Sequence, residues 1–294
     1  MTVIKAIIPA AGMGTRFLPV TKAQPKEMLP VVDKPIMQYV IEEATDAGAT
    51  QILLVTGRGK RVLEDHFDRS VELEQILELS ADAGSATAAE KLDLVRSIAH
   101  MAQLFYVRQK TPKGLGHAIA CGAPFTADQA FYVALGDVIV PDHGILPRLA
   151  AVHAETGASV IAVERVPRVL VSRYGIIGGL RVPNRDGVWR VDELVEKPDP
   201  ADAPGDLAII GRYLLTPRVM ELLADTAPGA GGEIQLTDAL VALLEHEELY
   251  AVEVPARSAF DTGNVLAWLE ANIQLALRDE RYADELRELL KGLI

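Results

Sequence analysis

The chain has 294 residues, of which 49% are hydrophobic and 24% are charged, a composition typical of a globular protein that can bury a sizeable core. Its 29 Lys and Arg residues against 41 Asp and Glu residues give a net charge of −12, which argues against binding nucleic acid or an anionic membrane through bulk charge. Any anionic ligand must therefore be held by local groups.

The single cysteine, Cys121, excludes an intramolecular disulfide and fits a reducing cytosol. It lies in the apolar stretch 118–121, where a buried structural thiol is a better interpretation than a catalytic one. No run of eighteen apolar residues could span a bilayer, and Pro9 interrupts the first apolar run before a signal-peptide core could form. We therefore expect a cytoplasmic protein without a membrane partner.

Strand and helix patterns alternate through the first half of the chain, as in a parallel sheet covered by helices. In chain order they predict a strand over 3–8, a helix over 36–47 ended by Gly48, a strand over 51–56, a helix over 114–122 and a strand over 131–135. Residues 62–102 are rich in acidic side chains and predict an exposed helical excursion whose charges form a solvated face.

The second half of the chain is less regular. It predicts strands over 174–182, 188–196 and 207–215, helices over 217–224 and 235–244, and a strand over 249–254 that closes the sheet. From Thr262 onward the pattern is helical, with Val265, Leu269, Ile273 and Ala276 on one face. With no linker or repeat, we predict one α/β domain over 1–294: a core over 1–261 with a Rossmann-like, mixed, mainly parallel sheet, then C-terminal helices over 262–294.

The clearest functional signal is a glycine turn inside a basic island. Glu27 is the first acidic residue, and the chain before it carries Arg16, Lys26 and two further lysines. Within this island, the run 10–16 (AAGMGTR) directly follows the first predicted strand. Glycines bring backbone N–H groups close to an anion, and Arg and Lys supply charge for phosphate oxygens. The pattern predicts a polyphosphate site.

Two common phosphate-binding motifs do not fit this turn. A dinucleotide fingerprint requires a third glycine where this chain has Phe17, and Pro19 soon breaks any helix. A Walker loop requires Gly-Lys-Ser/Thr, which is absent. A dinucleotide-dependent oxidoreductase is therefore the least favoured class.

Several ordered motifs resemble the sugar nucleotidylyltransferases. They are the glycine turn, PKEMLPVVDKP at 25–35, GLGHA at 114–118, GDV at 136–138, VEKP at 195–198, GEIQLTD at 232–238 and DTGN at 261–264. The resemblance runs nearly end to end. It implies a single nucleotidyltransferase domain that transfers the uridylyl group of UTP to glucose 1-phosphate, with Mg²⁺ as cofactor, and releases UDP-glucose and pyrophosphate.

The same resemblance implies the roles of individual residues. The implied catalytic residues are Arg16, Lys26, Asp137 and Lys197. The implied nucleotide contacts are Ala10, Ala11, Gly12, Gly14, Thr15, Arg16, Lys26, Glu27, Gln109 and Gly114. The implied sugar-phosphate contacts are Gly175, Glu196, Lys197 and Tyr213. The implied metal ligands are Asp137 and Asp261.

Some of these residues are also plausible on their own chemistry. Asp137 follows an apolar strand, where an open α/β sheet places its ligand crevice, and Mg²⁺ prefers carboxylates with phosphate oxygens. An aspartate there is more often a turn or helix cap, and Asp261 could equally cap the C-terminal helix. The Gln109 amide can donate and accept together, which suits the edge of uracil. The six histidines form no metal pattern, and His117 is interpreted as a structural or supporting residue.

Three alternatives remain open from the sequence. A thymidylyltransferase would use the same sugar phosphate, and the residues alone do not discriminate dTTP from UTP. A glycosyltransferase using a nucleotide sugar would commonly carry an Asp-x-Asp metal motif, and the run 137–139 lacks its second Asp. A non-catalytic nucleotide sensor is disfavoured because the implied metal and phosphate residues are present. The apolar stripe near the C-terminus suggests a homo-oligomer, a dimer or a tetramer, without nucleic acid.

Overall fold

A nine-stranded sheet forms the centre of the structure, a computed structural model that describes residues 3–293. The strands are β1 (Lys5–Ala10), β2 (Pro30–Val31), β3 (Lys34–Pro35), β4 (Gln51–Thr56), β5 (Gln103–Arg108), β6 (Phe131–Ala134), β7 (Val138–Ile139), β8 (Ser159–Arg165), β9 (Gly175–Arg181), β10 (Val188–Glu196), β11 (Leu207–Leu215), β12 (Leu249–Val254) and β13 (Phe260–Asp261). The short strands pair outside the main sheet, β2 with β3 and β7 with β13.

Helices cover the sheet and extend from it. They are α1 (Ile36–Asp46), α2 (Arg61–Phe67), α3 (Val71–Asp82), α4 (Ala86–Ala99), α5 (Gly114–Ala120), α6 (Ala123–Thr126), α7 (Ile145–Thr156), α8 (Arg218–Asp225), α9 (Leu236–Leu243), α10 (Val265–Ala276) and α11 (Ala283–Leu293). The predicted alternation of strands and helices is therefore confirmed.

The strand order of the main sheet is β5-β4-β1-β6-β11-β8-β12-β10-β9. Strands β5, β4, β1 and β6 are parallel neighbours, and so are β8 and β12. The strands β11 and β10 are antiparallel to their neighbours. Traced across the sheet, every main-sheet strand except β10 and β11 runs in the same direction. This confirms the predicted mixed, mainly parallel α/β sheet.

Successive strand residues point to opposite faces, and both faces are buried. In β1, Ile8 packs in one apolar cluster with Val40 and Ile41 of α1. Its neighbour Ile7 packs in the other cluster, which contains Leu240 of α9. A strand buried on both faces reads as a continuous apolar run, which is why β1, β4 and β6 were predictable from sequence.

The parallel strands β1, β4, β5 and β6 bring their carboxyl ends to one edge of the sheet. The glycine turn follows β1, Gly57 follows β4, Gln109 follows β5, and Asp137 follows β6. An open α/β sheet places its ligand crevice at this edge. Residues from four distant parts of the chain therefore converge there.

Most predicted elements agree with the structure, and the strands over 51–56, 188–196, 207–215 and 249–254 have the predicted bounds. One placement is wrong, because β12 does not close the sheet. It lies between β8 and β10, and the hairpin of β10 and β9 forms the edge beyond it. The sequence patterns also missed β5, β8 and α7. The first strand begins and ends two residues later than predicted and runs through Pro9.

The acidic excursion consists of α2, α3 and α4, as predicted in outline. Its charges do not all face solvent, because Glu74 in α3 is only 2% exposed. The Arg69 guanidinium lies 2.6 Å from the Glu74 carboxylate and that of Arg96 lies 3.3 Å away. Hydrogen bonds from Arg69, and then from Arg96, hold the pKa of Glu74 below its ordinary value. The other acidic side chains of the excursion are exposed, so the predicted solvated face is confirmed with Glu74 as its exception.

The predicted C-terminal helices are α10 and α11, which the segment 277–282 separates. In α10, Ala271 and Leu275 are buried against the core. The predicted apolar stripe points the other way, since Val265, Leu269 and Ile273 are 46%, 45% and 43% exposed. It is not packed on its own domain.

Two further predictions concern Cys121 and the membrane. Cys121 is half-buried rather than fully buried, and burial raises the pKa of its thiol. This fits the structural interpretation, because a raised pKa leaves less of the reactive thiolate. Between residues 3 and 293, no helix combines the length and the apolar character needed to cross a membrane.

Candidate active site

The glycine turn is held in a fixed conformation by its neighbours. Gly14 has a φ of 66°, which favours glycine, and its carbonyl accepts a hydrogen bond of 2.7 Å from the Thr21 hydroxyl. Gly57, at the end of β4, lies so close that a Cβ there would be 2.8 Å from the carbonyl oxygen of Ala11. The turns after β1 and β4 therefore pack backbone against backbone.

A cavity of about 410 Å³ lies against this turn and is called here the nucleotide cavity. Of the predicted nucleotide contacts, its walls include Ala11, Gly12, Lys26, Glu27, Gln109 and Gly114. Ala10, Gly14 and Thr15 do not line it. Ala10 is the buried last residue of β1, and the Gly14 carbonyl is turned toward Thr21. The turn therefore presents Ala11 and Gly12 to a ligand.

Gln109 has less hydrogen-bonding freedom than the sequence suggested. Its amide nitrogen donates to the Gly114 carbonyl at 3.1 Å and lies 2.9 Å from Nδ1 of His117. When Nδ1 of His117 is unprotonated, these two partners use both N–H groups of the amide. In that tautomer the carbonyl oxygen remains for a ligand, and Gln109 is set to accept. His117 supports Gln109 from behind.

Two sequence motifs meet where α5 begins. The amide of Gly116 donates to the Ile234 carbonyl at 2.8 Å, and the Ile234 amide donates to the Lys113 carbonyl at 2.7 Å. A Cβ on Gly114 would lie 2.7 Å from Cβ of Glu233 and 2.8 Å from the Ile234 oxygen. Glycine is therefore required at 114 by close approach as well as by its φ of 90°.

Replacing Gly114 with Ala is expected to destabilise the protein by about 1–3 kcal/mol more than replacing Gly84 with Ala, because of overpacking. Gly84 is the matched control, since its φ is 97° but no atom lies within 4 Å of its added Cβ. Both variants carry the same backbone penalty, so urea unfolding should isolate the crowding. Equal loss of stability in the two variants would contradict the close packing of the motifs.

Two carboxylates form the centre of the cleft. Asp137 and Asp261 lie beside Gly263, where an added Cβ would be 2.8 Å from Oδ1 of Asp261 and 3.5 Å from Oδ2 of Asp137. The backbone that carries them is pinned, because the amide and hydroxyl of Thr262 both donate to the Asp137 carbonyl, at 2.8 and 2.7 Å. Asp261 also accepts from the Gly263 amide at 2.7 Å, so it does not cap α10.

The electrostatics of this centre are dominated by Lys26. Its Nζ lies 2.5 Å from Oδ2 of Asp137. Burial lowers the pKa of Lys26, but the attraction of Asp137 and then Glu27 outweighs burial and raises it overall. Burial, and then the charge of Asp137, raises the pKa of Asp261. The two carboxylates thus repel each other and attract cations.

This donor set fits a hard divalent cation. Mg²⁺ is usually held by one or two carboxylates, with waters and substrate phosphates completing its shell. Over residues 3–293 there is no cluster of three or more His, Cys, Asp or Glu side chains that could form a closed metal cage. An open pair of carboxylates is therefore the arrangement that a substrate-completed Mg²⁺ site requires.

Glu27 is tied to a second lysine. Its carboxylate lies 2.5 Å from Nζ of Lys60, and both side chains are buried. Burial raises the pKa of Glu27, while Lys60 and Lys26 oppose the rise. Glu27 is thus a fixed part of the cavity wall, although the sequence pattern did not indicate its partner Lys60.

The largest cavity in the cleft, about 630 Å³, is called here the sugar cavity. Four cationic side chains line it: Arg16, Arg173, Lys197 and Arg257. A connecting cavity of about 330 Å³ runs past Asp137 and Asp261 and shares Arg16 and Arg173 with it. Because Asp137 also lines the nucleotide cavity, the three cavities form one continuous cleft.

Arg16, which was predicted to contact the nucleotide, lies where two of the cavities meet. Arg16 lines the sugar cavity and the connecting cavity but not the nucleotide cavity. It follows Gly14 in the 3-10 turn Thr15–Phe17, which carries its side chain away from Gly12 and toward Asp261. Arg16 therefore faces the sugar side of the carboxylates, rather than the wall assigned to the nucleotide.

The predicted sugar-phosphate contacts are partly assembled. Lys197 directly follows β10 with a φ of 49°, and its Nζ lies 2.6 Å from Oε1 of Glu196. The Thr237 hydroxyl donates to the other oxygen of Glu196 at 2.7 Å. Gly175 leaves room for this carboxylate, because an added Cβ would lie 3.2 Å from it.

Tyr213 is largely buried, but its phenol is close enough to this group to be influenced by the charge of Glu196. It is 6% exposed, packs in the apolar cluster on one face of the sheet, and lines none of the three cavities of the cleft. Burial, and then the charge of Glu196, raises the pKa of its phenol well above the ordinary value. A direct sugar contact from Tyr213 therefore stays a prediction.

Three residues of the cleft were missed from the sequence. Thr237 lies in the motif at 232–238, but nothing in its spacing indicated that it would reach Glu196. Arg173 lies two residues before Gly175, which was predicted as a sugar-phosphate contact. A cation so close to that position could have indicated a phosphate-binding role. Arg257 has no sequence signal, since its place depends on a strained φ of 64° and on its amide bonding Glu164 at 3.2 Å.

Comparison with known proteins agrees with this geometry. Residues 5–277 match the family described as nucleotidyl transferase. The chain is 48% identical over 290 residues to UTP–glucose-1-phosphate uridylyltransferase 2 of Staphylococcus saprophyticus, covering 98% of this chain and 97% of that protein. It is 37% identical to a UTP-bound UGPase from Acinetobacter baumannii, with a TM-score of 0.86 over 99% of this chain and 100% of that one.

A second solved structure, a UDP-glucose pyrophosphorylase complexed with UDP-glucose, is 39% identical. Its TM-score is 0.83, and the match covers 94% of this chain and 100% of that chain. The match to the family extends over most of the chain, and the relatives align over nearly their full lengths. This chain belongs to the nucleotidyl transferase family.

Proposed function

We propose that this chain transfers the uridylyl group of UTP to glucose 1-phosphate, giving UDP-glucose and pyrophosphate. The similar proteins bear the names of that activity, and one solved relative is UTP-bound. The observation that carries the proposal is the position of Asp137 and Asp261 midway along one cleft. Gln109 lies at one end of this cleft and Lys197 at the other.

The nucleotide end suits a pyrimidine with an N–H donor. The carbonyl oxygen of Gln109 would accept from N3–H of uracil, since its amide nitrogen donates to Gly114 and, with Nδ1 of His117 unprotonated, to His117 as well. The backbone of Gly12 allows close approach of the ribose and phosphates. The Lys26 ammonium, beside Asp137, would then contact the α-phosphate.

The sugar end suits a phosphate monoester. Arg173, Lys197 and Arg257 would attract the phosphate of glucose 1-phosphate into the sugar cavity, and the arginines can bind its oxygens in pairs. Glu196 is fixed on one side by Lys197 and on the other by Thr237. A fixed carboxylate can accept hydrogen bonds from sugar hydroxyls.

No general base is required for this reaction. A phosphate monoester has a second pKa of about 6, so the attacking oxygen is already largely deprotonated at neutral pH. The barrier comes instead from repulsion between two polyanions and from charge on the departing pyrophosphate. Positioning and electrostatic stabilisation are therefore what the residues supply.

Mg²⁺ would be held by Asp137 and Asp261. It would neutralise phosphate charge and polarise a phosphoryl oxygen, which makes the phosphorus more electrophilic. Lys26 keeps the carboxylate of Asp137 oriented toward the cleft. Arg16, on the sugar side of the carboxylates, would stabilise charge that grows during transfer. These assignments explain why cations surround a cleft in a chain of net charge −12.

The test is pyrophosphate release from UTP or dTTP with glucose 1-phosphate and Mg²⁺. We expect release with UTP, little with dTTP, and none after EDTA removes the metal. Faster release with dTTP would make the chain a thymidylyltransferase, which Gln109 alone does not exclude because thymine also carries N3–H. If neither nucleotide gave pyrophosphate, the glycosyltransferase and sensor alternatives would replace the proposal.

We also propose that the chain is a cytoplasmic homo-oligomer, a dimer or tetramer. The exposed side chains of Val265, Leu269 and Ile273 form an apolar face on α10 that a second copy could cover. Burial of such a face is favourable at about 25 cal/mol per Å². The single cysteine supports the cytoplasmic location.

A further inference from the structure

An ion pair lies wholly inside the protein, directly beneath the carboxylates. The guanidinium of Arg212, in β11, lies 2.7 Å from the carboxylate of Glu43, in α1, and both side chains are 0% exposed. A buried pair of this kind is weak support for stability, because the cost of desolvating two charges often cancels their attraction. Its presence therefore suggests a positional role.

The contacts of Arg212 show what it positions. Nε and one N–H of Nη2 bind Glu43, at 2.9 and 2.7 Å. The other N–H of Nη2 donates to the Val138 carbonyl at 2.6 Å, and Nη1 donates to the carbonyls of Gly211 and Leu135, at 3.1 and 3.4 Å. All five donors of the guanidinium are used.

Leu135 and Val138 are the two ends of the turn that carries Asp137. The Val138 amide donates to the Leu135 carbonyl at 3.2 Å and closes the turn around Gly136 and Asp137. A Cβ on Gly136 would lie 2.9 Å from the Pro9 carbonyl, so the turn also packs tightly against β1. Arg212 thus holds both ends of a four-residue turn whose third residue is Asp137.

We infer that Arg212, held by Glu43, is a positioning residue that fixes the metal-binding carboxylate of Asp137. This inference rests on the proposed function, because it takes Asp137 as a Mg²⁺ ligand. Lysine could not replace it, since one ammonium has three donors and no planar fork. Groups behind a metal ligand usually change metal affinity by about 10–100-fold when they are altered.

The inference is tested by removing the whole pair. A single substitution would leave a buried unpaired charge and could prevent folding. The double variant Arg212→Met with Glu43→Leu removes both charges and keeps side chains of similar size. The matched control is Ser159→Ala with Thr216→Val, at the first residue of β8 and the residue directly after β11. It removes another buried hydrogen-bonded pair, together with the bonds of that pair to the Thr216 amide and to Glu247.

The readout is Mn²⁺ binding, measured by electron paramagnetic resonance with UTP present, alongside kcat. We expect the Arg212→Met, Glu43→Leu variant to bind Mn²⁺ about 10–100-fold more weakly, with a lower kcat and a higher Mg²⁺ requirement. The control should keep wild-type Mn²⁺ affinity even if it melts earlier. A folded double variant with wild-type Mn²⁺ affinity would overturn the inference, whatever its activity.

Arg212→Lys provides a second check, since it keeps the charge opposite Glu43 and should fold. Its Mn²⁺ affinity should fall because one ammonium cannot hold both ends of the turn, and wild-type affinity would overturn the inference. Failure of the proposed function is recognised separately. In that case the wild type would not release pyrophosphate from UTP, or Asp137→Asn would bind Mn²⁺ as well as the wild type.

Discussion

Asp137→Asn is expected to lower kcat by about 10²–10³-fold, the loss typical of removing one preorganised electrostatic group from an active site. The amide keeps the shape of the side chain but removes the charge that pairs with Lys26, 2.5 Å away, and that would bind the proposed metal. The backbone contacts of Thr262 with the Asp137 carbonyl do not depend on that charge. The fold should therefore survive, with an unfolding midpoint near that of the wild type.

The matched control is Asp142→Asn. Asp142 is an exposed aspartate five residues further along, outside the three cavities of the cleft. Steady-state kinetics with varied Mg²⁺ should show a large loss for Asp137→Asn and wild-type values for Asp142→Asn. Turnover within threefold of the wild type for Asp137→Asn would remove this residue from the mechanism.

Two strands that frame the site, β1 and β6, were predictable because they are buried on both faces and read as continuous apolar runs. They carry Gly12 and Asp137 to one edge of the sheet, whereas β5, which carries Gln109 there, is partly exposed and was missed. The pairing of Asp137 with Asp261 was implied by the resemblance of their motifs to the family, whereas local position alone left both as possible caps. The sequence therefore predicted which residues lie at the carboxyl ends of these strands.

Contacts between distant segments were not predictable from local patterns. Strand β8 lies between β11 and β12 in the sheet. No short-range sequence pattern predicts which strands are its neighbours. The same limit applies to Arg212 in β11. Only its neighbour Tyr213 was predicted to belong to the site, and no local pattern indicated that Arg212 lies beneath Asp137.

The direction of individual side chains was the least predictable feature. Arg16 was assigned to the triphosphate because it follows the glycine turn, yet the 3-10 turn after Gly14 directs it to the sugar cavity. Arg257 reaches the same cavity from a left-handed backbone conformation that its sequence does not favour. Strained residues of this kind cluster at functional sites, so they are found from coordinates rather than from patterns.

Arg16→Ala is expected to lower kcat by orders of magnitude, about 10²–10³-fold if Arg16 stabilises the charge that develops during transfer. Arg16 is exposed, and it has no ion-pair partner within 4.0 Å over residues 3–293. Its loss should therefore leave the free energy of unfolding nearly unchanged. Arg218→Ala is the control and should keep wild-type turnover, because this partly exposed arginine of α8 lies outside the cleft.

The KM values of Arg16→Ala should show whether Arg16 acts on the sugar side or on the nucleotide side of Asp137 and Asp261. Because Arg16 lines the sugar cavity, its removal should raise the KM for glucose 1-phosphate more than the KM for UTP. Arg16→Lys keeps the charge but loses the bidentate fork, so it should recover part of kcat. A kcat for Arg16→Ala near that of the wild type would show that the remaining cations, Lys197 and Arg173 among them, are sufficient for transfer.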